Sequence, residues 1–508
     1  MTPTHKKRIA VLLATTQKDK RYAFVRGVMR EHENAEIFLV GGAVRDALLG
    51  RETKDFDFVV RGVSKTALEK NLRSYGTVHL VGKKFGVFKL NPKGIKEYEE
   101  IDIALPRTES PIAGTGHYRD FAIKTDASLP IETDLARRDL TINAIALNCV
   151  TGELVDPFGG VGDIKDKTIR AVGKPSERFA EDYSRTLRAI RCAIQFGFDI
   201  DAATWSSLKK SVIHLLDDVV TVEGEVHHAV AYEVISREFV RALMADPVRA
   251  LDMLDEAGVI KILAPELLVM KGCMQHPEWH SEGDVWTHAR LALSLFNSPE
   301  YKKEFGAEKP SPLNVVATLF HDVGKPFSMQ TPEKDGVEHV KFYGHDRVGA
   351  EIAKRVADRI ILVSAGDYSV DPDDLYWLID RHLVLLNGDV QDMKNRTIEK
   401  YFFDDPARGD ALRKLMFVDG LASVRADGSS SLDKFYELKV RMKKLTQLAG
   451  SKKTLPPALI DGYDVMKVAG ISGGRRVGEL IESLREEQLA GRVKTKVQAR
   501  NYLKKLIT

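Results

Sequence analysis

The stretch Leu39–Val60, LVGGAVRDALLGRETKDFDFVV, decides how this chain is read. An apolar run, Glu36–Val40, predicts a strand that runs into Gly41-Gly42. Without a Cβ, those residues let backbone N–H groups approach a ligand closely. The helix expected over Ala43–Leu49 offers its positive N-terminal end to an anion such as a phosphate. A second strand is expected over Asp55–Val60. Residues i and i+2 of a strand share a face, so Asp55 and Asp57 should point the same way, as a carboxylate pair suited to divalent cations. A Gly-Gly turn or an Asp-x-Asp alone is unspecific. In strand–Gly-Gly–helix–strand order they point to a metal-dependent enzyme acting on a nucleoside triphosphate.

At 508 residues the chain is too long for one core and should hold three or more domains. A hydrophobic content of 44% and a charged content of 29% are those of an ordinary globular protein. The net charge of +3 excludes a globally basic nucleic-acid coat, so any RNA surface must be a local patch. Cys149, Cys192 and Cys273 are far apart and form no CxxC pair, which fits a reducing compartment without disulfides or a zinc knuckle. No apolar run reaches the ~20 residues that a membrane helix needs. The apolar run after MTPTHKKR is shorter than a signal-peptide core and lacks a small-residue cleavage site. The expectation is a cytoplasmic protein with no membrane partner.

Working outward, β-rich runs at 37–40, 56–60, 78–81, 85–90 and 101–104 alternate with helical segments up to about residue 165. Segment 107–134, polar and containing Pro111, Gly114 and Gly116, reads as a long loop. From about 166 onward strand signals nearly vanish. The rest reads as helical, with breaks at 265–277, 299–312, 331–336 and 450–457.

Three further features of the first half carry chemistry. Asp102, in the alternating run Ile101-Asp102-Ile103, is either a third metal-binding acid on a neighbouring strand or a plain edge-strand residue. Arg137-Arg138 can bind triphosphate oxygens through several donors each, and Asp139 and Asn143 share a face if their segment is helical. In Glu181–Arg191, Asp182, Arg185, Arg188 and Arg191 recur every three residues as a charged stripe on one expected helix. Three such arginines repel one another unless something anionic lies against them.

The set GGAVRD…DFD, RRDLTINAIAL, DPFGGVGDI and RFAEDYSRTLRAIRCA resembles the class II tRNA nucleotidyltransferases (CCA-adding enzymes) and the related bacterial poly(A) polymerases, in order, across about 36–270. The resemblance implies that Asp55 and Asp57, with Asp102 as a further candidate, hold two Mg2+ ions in a two-metal displacement. It implies that Gly41, Gly42 and Arg45 contact the nucleotide. Arg138, Arg188 and Arg191 would meet its triphosphate or base, with Asp139 and Asn143 beside them. Asp182 and Arg185 match the protein template that reads CTP and then ATP. One departure is visible: Tyr183-Ser184 stand where the family has proline and an aliphatic residue, which puts the shape of the pocket in question.

A second pattern occupies 276–420. His288 lies in DVWTHARLAL, His321-Asp322 in VVATLFHDVGK, His345 in FYGHDRVGA, His382 in LIDRHL and Asp419 in LMFVDGLAS. Burying an aspartate costs several kcal/mol unless it is paired or metal-bound. Imidazole and carboxylate ligands suit a transition metal that activates water. The region resembles the HD phosphohydrolase superfamily and the form of it fused behind some bacterial CCA-adding heads. That implies His288, His321, Asp322 and Asp419 as primary ligands of Ni2+, Mn2+ or Co2+. His345 and His382 would be extra ligands in a two-metal form, and Lys325 either contacts phosphate or is solvated. The implied reaction is hydrolysis of 2′,3′-cyclic phosphates, 2′-nucleotides or phosphate ends.

The expected fold is an α+β nucleotidyltransferase palm, a mixed sheet plus helices, followed by all-α neck, body, HD and tail domains. The expected bounds are 1–35 for an N-terminal extension, 36–165 for the head and 166–270 for the neck and body. The HD domain follows over 271–430 and a tRNA-binding tail over 431–508. In the tail, Val477, Leu480, Ile481 and Leu484 mark a helix after a Gly-Gly turn, and Arg475-Arg476 and 492–505 are basic. The expected activity is CCA addition to tRNA from CTP and ATP with a phosphohydrolase attached, by a monomer or homodimer. A poly(A) polymerase, a partial CC- or A-adding enzyme, or an HD phosphohydrolase with a degenerate head are the alternatives.

Overall fold

Glu36–Val40 forms the expected strand, β1. The computed structural model describes residues 2–53, 55–81, 86–95, 100–111, 121–220, 226–385, 388–448 and 455–507. They divide into two compact units, Met1–Ile262 and Leu263–Thr508. The remaining strands of the first unit's head are β2 (Asp57–Arg61), β3 (Gly76–Val81), β4 (Val87–Pro92), β5 (Ile101–Ala104), β6 (Arg107–Pro111), β7 (Phe121–Thr125), β8 (Ala146–Asn148) and β9 (Leu154–Val155). Seven of them make one mixed sheet in the order β3-β4-β5-β2-β1-β8-β9. Only the β2–β5 pair in it is parallel, and its register sets Asp57 opposite Asp102.

β1 reads as a continuous apolar run because both of its faces are covered. Phe38 and Val40 pack with Val59, Ile131, Leu135, Ala144 and Ala146 on one side. On the other, the N-terminal extension supplies the helices Pro3–Lys18 and Ala23–Glu31. Phe24 of the second meets Phe58 edge-on at 5.1 Å, and Tyr22 stacks on Phe56 at 4.9 Å. Each such fully buried side chain contributes about 1.5–3 kcal/mol. The extension is therefore part of the head's core.

Several expectations are corrected. The second strand begins at Asp57, so Asp55 lies in the loop before it and is exposed. Segment 107–134 is not one loop: β6 pairs with β7 as an antiparallel hairpin, and Ile131–Ala136 is a helix. Gly114 and Gly116 lie outside the described residues, as do residue 85 of the expected 85–90 run and 450–454 of an expected break. Arg137–Asn143 is a turn followed by a 3-10 segment at Thr141–Asn143, not a helix. The part beyond 165 is largely helical rather than all-α, with two small strand pairs, Thr168–Ile169 with Asp199–Ile200 and Asp218–Val220 with Val226–His228.

The second unit is helical. Pro312–Phe320 is buried along its whole apolar run, opens with a Ser311–Asn314 capping box and ends at His321. Around it pack Val285–Ser294, His345–Arg359, Pro372–Arg381 and Pro406–Ala422. The expected 299–312 and 331–336 breaks each contain helix, at Pro299–Phe305 and Pro332–Asp335. The helices Gly462–Ala469, Arg475–Leu489 and Lys496–Ile507 share a core of Val465, Val477, Leu480, Leu484 and Leu503.

Candidate functional site

In the first unit the site is built around Gly41, at φ 70° and ψ −130° between β1 and the helix Gly42–Leu49. A Cβ there would come within 3.0 Å of Arg138 Nη1 and 3.7 Å of Asp57 Oδ2. Glycine is needed for backbone conformation and for space. The Arg138 guanidinium and the Asp57 carboxylate thus converge on Gly41, the residue that caps the start of this helix. Gly42 and Arg45 are adjacent, since a Cβ at 42 would lie 3.5 Å from Arg45 Nη2.

The carboxylates are crowded. Burial, the Asp55 carboxylate and Asp102 push Asp57 up to about 6, against Arg138 and Lys89. Buried Asp102 Oδ1 accepts no hydrogen bond, although Lys89 Nζ stands 3.4 Å away. A carboxyl raised by burial and by neighbouring carboxylates, as Asp57 is, fits a divalent cation, which offsets that repulsion. Among the described residues, no head trio has its donor atoms within 4.8 Å of one another, and Asp55 lies exposed in the loop before β2.

A polar relay runs from this cradle to the arginine helix. Arg45 Nη1 donates to Asn143 Oδ1 at 2.7 Å, and its guanidinium lies 4.7 Å from the Phe196 ring. Asn143 Nδ2 donates to Asp139 Oδ1 at 3.1 Å, and Arg188 Nε to Asp139 Oδ2 at 2.7 Å. Burial alone would raise Asp139; Arg188 and Asn143 outweigh it and hold the carboxyl well below the usual carboxylate range. Asp139 and Asn143 are together as expected, through a turn rather than a helix face.

The expected single stripe is broken. One helix, Pro175–Glu181, stops at Asp182, and a second, Ser184–Phe196, starts two residues later, with Asp182 Oδ1 accepting from Ser184 N–H. The repulsion among the arginines is relieved internally. Arg185 pairs with Glu181 at 2.6 Å, Arg188 with Asp139, and Arg191 with Glu238 at 2.5 Å. Arg185 is buried, with Asp182 3.9 Å away. Arg188 joins the relay, whereas Arg191 is spent on Glu238 and Gln195. Tyr183 stacks on His214 with ring centroids 4.9 Å apart. Asp134, not singled out from the sequence, holds Arg137 at 2.8 Å and Arg138 at 3.3 Å. Its i,i+3 and i,i+4 spacing was the available signal.

In the second unit all six expected residues meet. His321 and His382 close the helices Pro312–Phe320 and Pro372–Arg381, and His345 opens His345–Arg359. His288 lies within Val285–Ser294 and Asp419 within Pro406–Ala422. Gly324 permits the assembly, because a Cβ there would strike the His345 carbonyl at 2.1 Å. Each imidazole is oriented through Nδ1. That of His321 meets the Thr318 carbonyl at 2.8 Å, that of His345 the Phe342 carbonyl at 2.7 Å and that of His382 the Ile379 carbonyl at 2.6 Å. A carbonyl only accepts, so each Nδ1 carries hydrogen and Nε2 is the free donor atom. His288 Nδ1 similarly faces Glu282 Oε1 at 2.7 Å.

The Nε2 atoms converge on Asp322. Its Oδ2 is 3.3 Å from His321 and 3.7 Å from His288, and its Oδ1 3.3 Å from His345 and 3.8 Å from His382. Asp419 Oδ1 stands 3.1 Å from His288 Nε2. Two groups, His288/His321/Asp322 and Asp322/His345/His382, therefore place their donor atoms within 4.8 Å of one another and share Asp322. The Nε2 atoms of His345 and His382 are buried without hydrogen-bond partners. Nitrogen donors held in one orientation beside carboxylates fit a transition metal. Burial lowers the His321 imidazole, yet the Asp322 and Asp419 carboxylates outweigh it and push it up to about 10. Burial and the neighbouring imidazoles push His382 down to about 4. Lys325 Nζ bonds Asp322 Oδ2 at 2.6 Å and Gln275 Oε1 at 2.7 Å, so it is buried rather than solvated. Glu282 was missed; its only signal was an acid six residues before His288 in HSEGDVWTH.

Comparison with known proteins gives matches for both units. A family model described as Poly A polymerase head domain matches residues 37–170, and one described as HD domain matches 285–413. The Multifunctional CCA protein of Azoarcus sp. (strain BH72) is 37% identical over 381 residues, covering 74% of this chain and 79% of the relative. That of Acidovorax sp. (strain JS42) is 36% identical over 330 residues, covering 64% and 68%. Among solved structures, a Bacillus stearothermophilus CCA-adding enzyme in complex with CTP has a TM-score of 0.62 at 19% identity, covering 100% of this chain and 98% of that one. A Thermotoga maritima CCA-adding enzyme complexed with tRNA has a TM-score of 0.57 at 22% identity, covering 98% of each chain. At such identities the structural likeness speaks for the fold.

Proposed function

Because this chain belongs to the multifunctional CCA protein family, we propose that it adds C, C and A to tRNA 3′ ends from CTP and ATP without a nucleic-acid template, and that it hydrolyses phosphoesters at a separate His/Asp centre. The observation that carries the first reading is the convergence of Arg138 and Asp57 on Gly41 at the mouth of a helix. The nucleotidyltransferase and HD families are metal-dependent. In our reading Asp55, Asp57 and Asp102 hold Mg2+, and His288, His321, Asp322 and Asp419 hold Ni2+, Mn2+ or Co2+, with His345 and His382 completing a second position that shares Asp322.

Bound cations would supply an activated oxygen nucleophile and charge stabilisation of the leaving group at each centre. The residues do the rest. The RNA 3′ oxygen forms a bond to the α-phosphorus, the bond to pyrophosphate breaks, and the hydroxyl proton is lost to solvent. The Gly41-Gly42 amides and the Arg138 fork position the triphosphate. Arg45 and Asn143 brace the cradle through Asp139 and Arg188. Asp182 and Arg185 read the base edge, and Arg185 must exchange its Glu181 contact for the base. Arg191, tied to Glu238, acts by stiffening the helix. Tyr183, on His214, replaces the usual residue beside the template and shapes the pocket wall.

We assign 1–35 to an extension, 36–165 to the head, 166–270 to the neck and body, 271–430 to the HD domain and 431–508 to a tRNA-binding tail. Cytoplasmic location accords with this role. Among the described residues no helix is long and apolar enough to cross a membrane.

The test is sequencing of products after tRNA lacking its 3′ end is incubated with CTP and ATP together and singly. One CCA per molecule is expected. Long A-tails without C would replace this reading with a poly(A) polymerase, and C-only or A-only products with a partial enzyme.

A further inference from the structure

The His/Asp centre opens into a cavity of about 640 Å3. That is the size of a site for a whole nucleotide-sized ligand and far exceeds a phosphate. Asp322, His345, His382, Asp419 and Lys325 line one part of it. Another part is a three-ring cluster that the hydrolytic chemistry does not use. His276 and Trp279 have ring centroids 4.8 Å apart, His276 and His339 5.2 Å, and Trp279 and His339 5.3 Å. Trp279 is 41% exposed, and Tyr343 at the rim is 77% exposed. A tryptophan serving only as core would bury that area.

The cluster is fixed relative to the metal-binding residues. Trp279 N–H and His280 N–H both donate to the His276 carbonyl, at 3.2 and 3.0 Å, which closes the 276–280 turn. Ser281 N–H donates to the Val424 carbonyl and Ala426 N–H to the Glu278 carbonyl, pinning that turn beyond the helix that bears Asp419. His280 and His288 share Glu282 Oε1, at 2.8 and 2.7 Å. His339 comes from a separate segment held by the Gln330–Lys341 bridge. Two independent segments thus deliver flat rings to one cavity at a set position from the Asp322 cluster. Stacking on such rings is how proteins hold bases without reading their edges.

We propose that the Trp279–His276–His339 cluster is a nucleobase-stacking subsite, which holds the base of a nucleoside whose 2′-phosphate or 2′,3′-cyclic phosphate reaches the His/Asp centre. This rests on the phosphohydrolase reading above. In the hydrolysis, water oxygen forms a bond to phosphorus, the phosphorus–ribose oxygen bond breaks, and the ribose oxygen takes a proton; nothing is oxidised or reduced. The source is either a free mononucleotide or the 3′ end of an RNA.

The test compares the full-length, metal-loaded protein with W279A and W279F on adenosine 2′-phosphate, on an RNA hairpin ending in a 2′,3′-cyclic phosphate, and on glycerol 2-phosphate, which has no base. For W279A the kcat/KM ratio of a base-bearing substrate to glycerol 2-phosphate is expected to fall about tenfold or more through KM, with W279F retaining most of it. The substrate whose ratio falls identifies the source. An unchanged ratio on both base-bearing substrates overturns the subsite. Photocrosslinking with 8-azidoadenosine 2′-phosphate separates the two failures. Label on the 276–280 or 339–343 peptides with no hydrolysis of any substrate sinks the phosphohydrolase reading and keeps the subsite. Label only elsewhere overturns the subsite even where hydrolysis is intact.

Discussion

In the first unit the acidic groups come from two neighbouring strands and the loop before one of them; in the second the nitrogen donors come from helices, three of them tied to a carbonyl three residues back. The head centre is held by cross-strand register and by arginines reaching from elsewhere, and its carboxylates repel one another until a ligand arrives. The His/Asp centre has its rings already aimed. The difference teaches that binding at the head should be coupled to movement, above all of exposed Asp55, whereas binding at the second centre should be nearly rigid.

The comparison can be broken or sharpened by substitution. The largest effect is expected for Asp57→Asn, a loss of nucleotide incorporation on the order of a thousandfold. Phosphoester hydrolysis should persist, which assays of both activities on one preparation would check. His321→Ala should do the reverse, lowering hydrolysis on the order of a hundredfold or more while sparing CCA addition. Joint loss in either variant would argue against independent centres. Glu282→Gln should weaken metal binding at the His/Asp centre by about 10–100-fold, because His288 loses the carboxylate that fixes its ring. Direct metal titration measures this, and an unchanged affinity would mean that the ring is held by packing alone.

The smallest effect concerns the relay. Asp139→Asn should cost about 1 kcal/mol, because the buried Asp139 loses the charge that pairs with half-exposed Arg188, a contact that solvent partly screens. Asp139 is depressed in the fold, so its contribution is present above the unfolded carboxylate pKa and fades as pH falls through the folded value. Denaturant unfolding of wild type and variant should therefore differ at pH 7 and converge in acid. A constant gap at all pH values would show that the pair's charge is not what stabilises.

How much of this was legible in the sequence depends on the range of the interaction. The Gly41-Gly42 turn, β1 and the residues of the His/Asp cluster were readable because strand, turn and helix-end signals are local. Asp102 was ambiguous, since only the β2–β5 register places it against Asp57. The β6–β7 hairpin was hidden because Arg107–Pro111 is polar and has no hydrophobic alternation. The break at Asp182 was masked by a three-residue charge period that continues across it. The partners of Arg188 and Arg191 lie 49 and 47 residues away and leave no trace in local spacing.

One consequence of the Nδ1 tethers concerns the order of events in folding. A contact across three residues closes with the helix end that carries it, at almost no loop-closure cost. His321, His345 and His382 can therefore be aimed before the chain has brought them together. Only the links through Asp322 and Asp419 wait for the bundle, so the cluster is completed at the moment its helices dock.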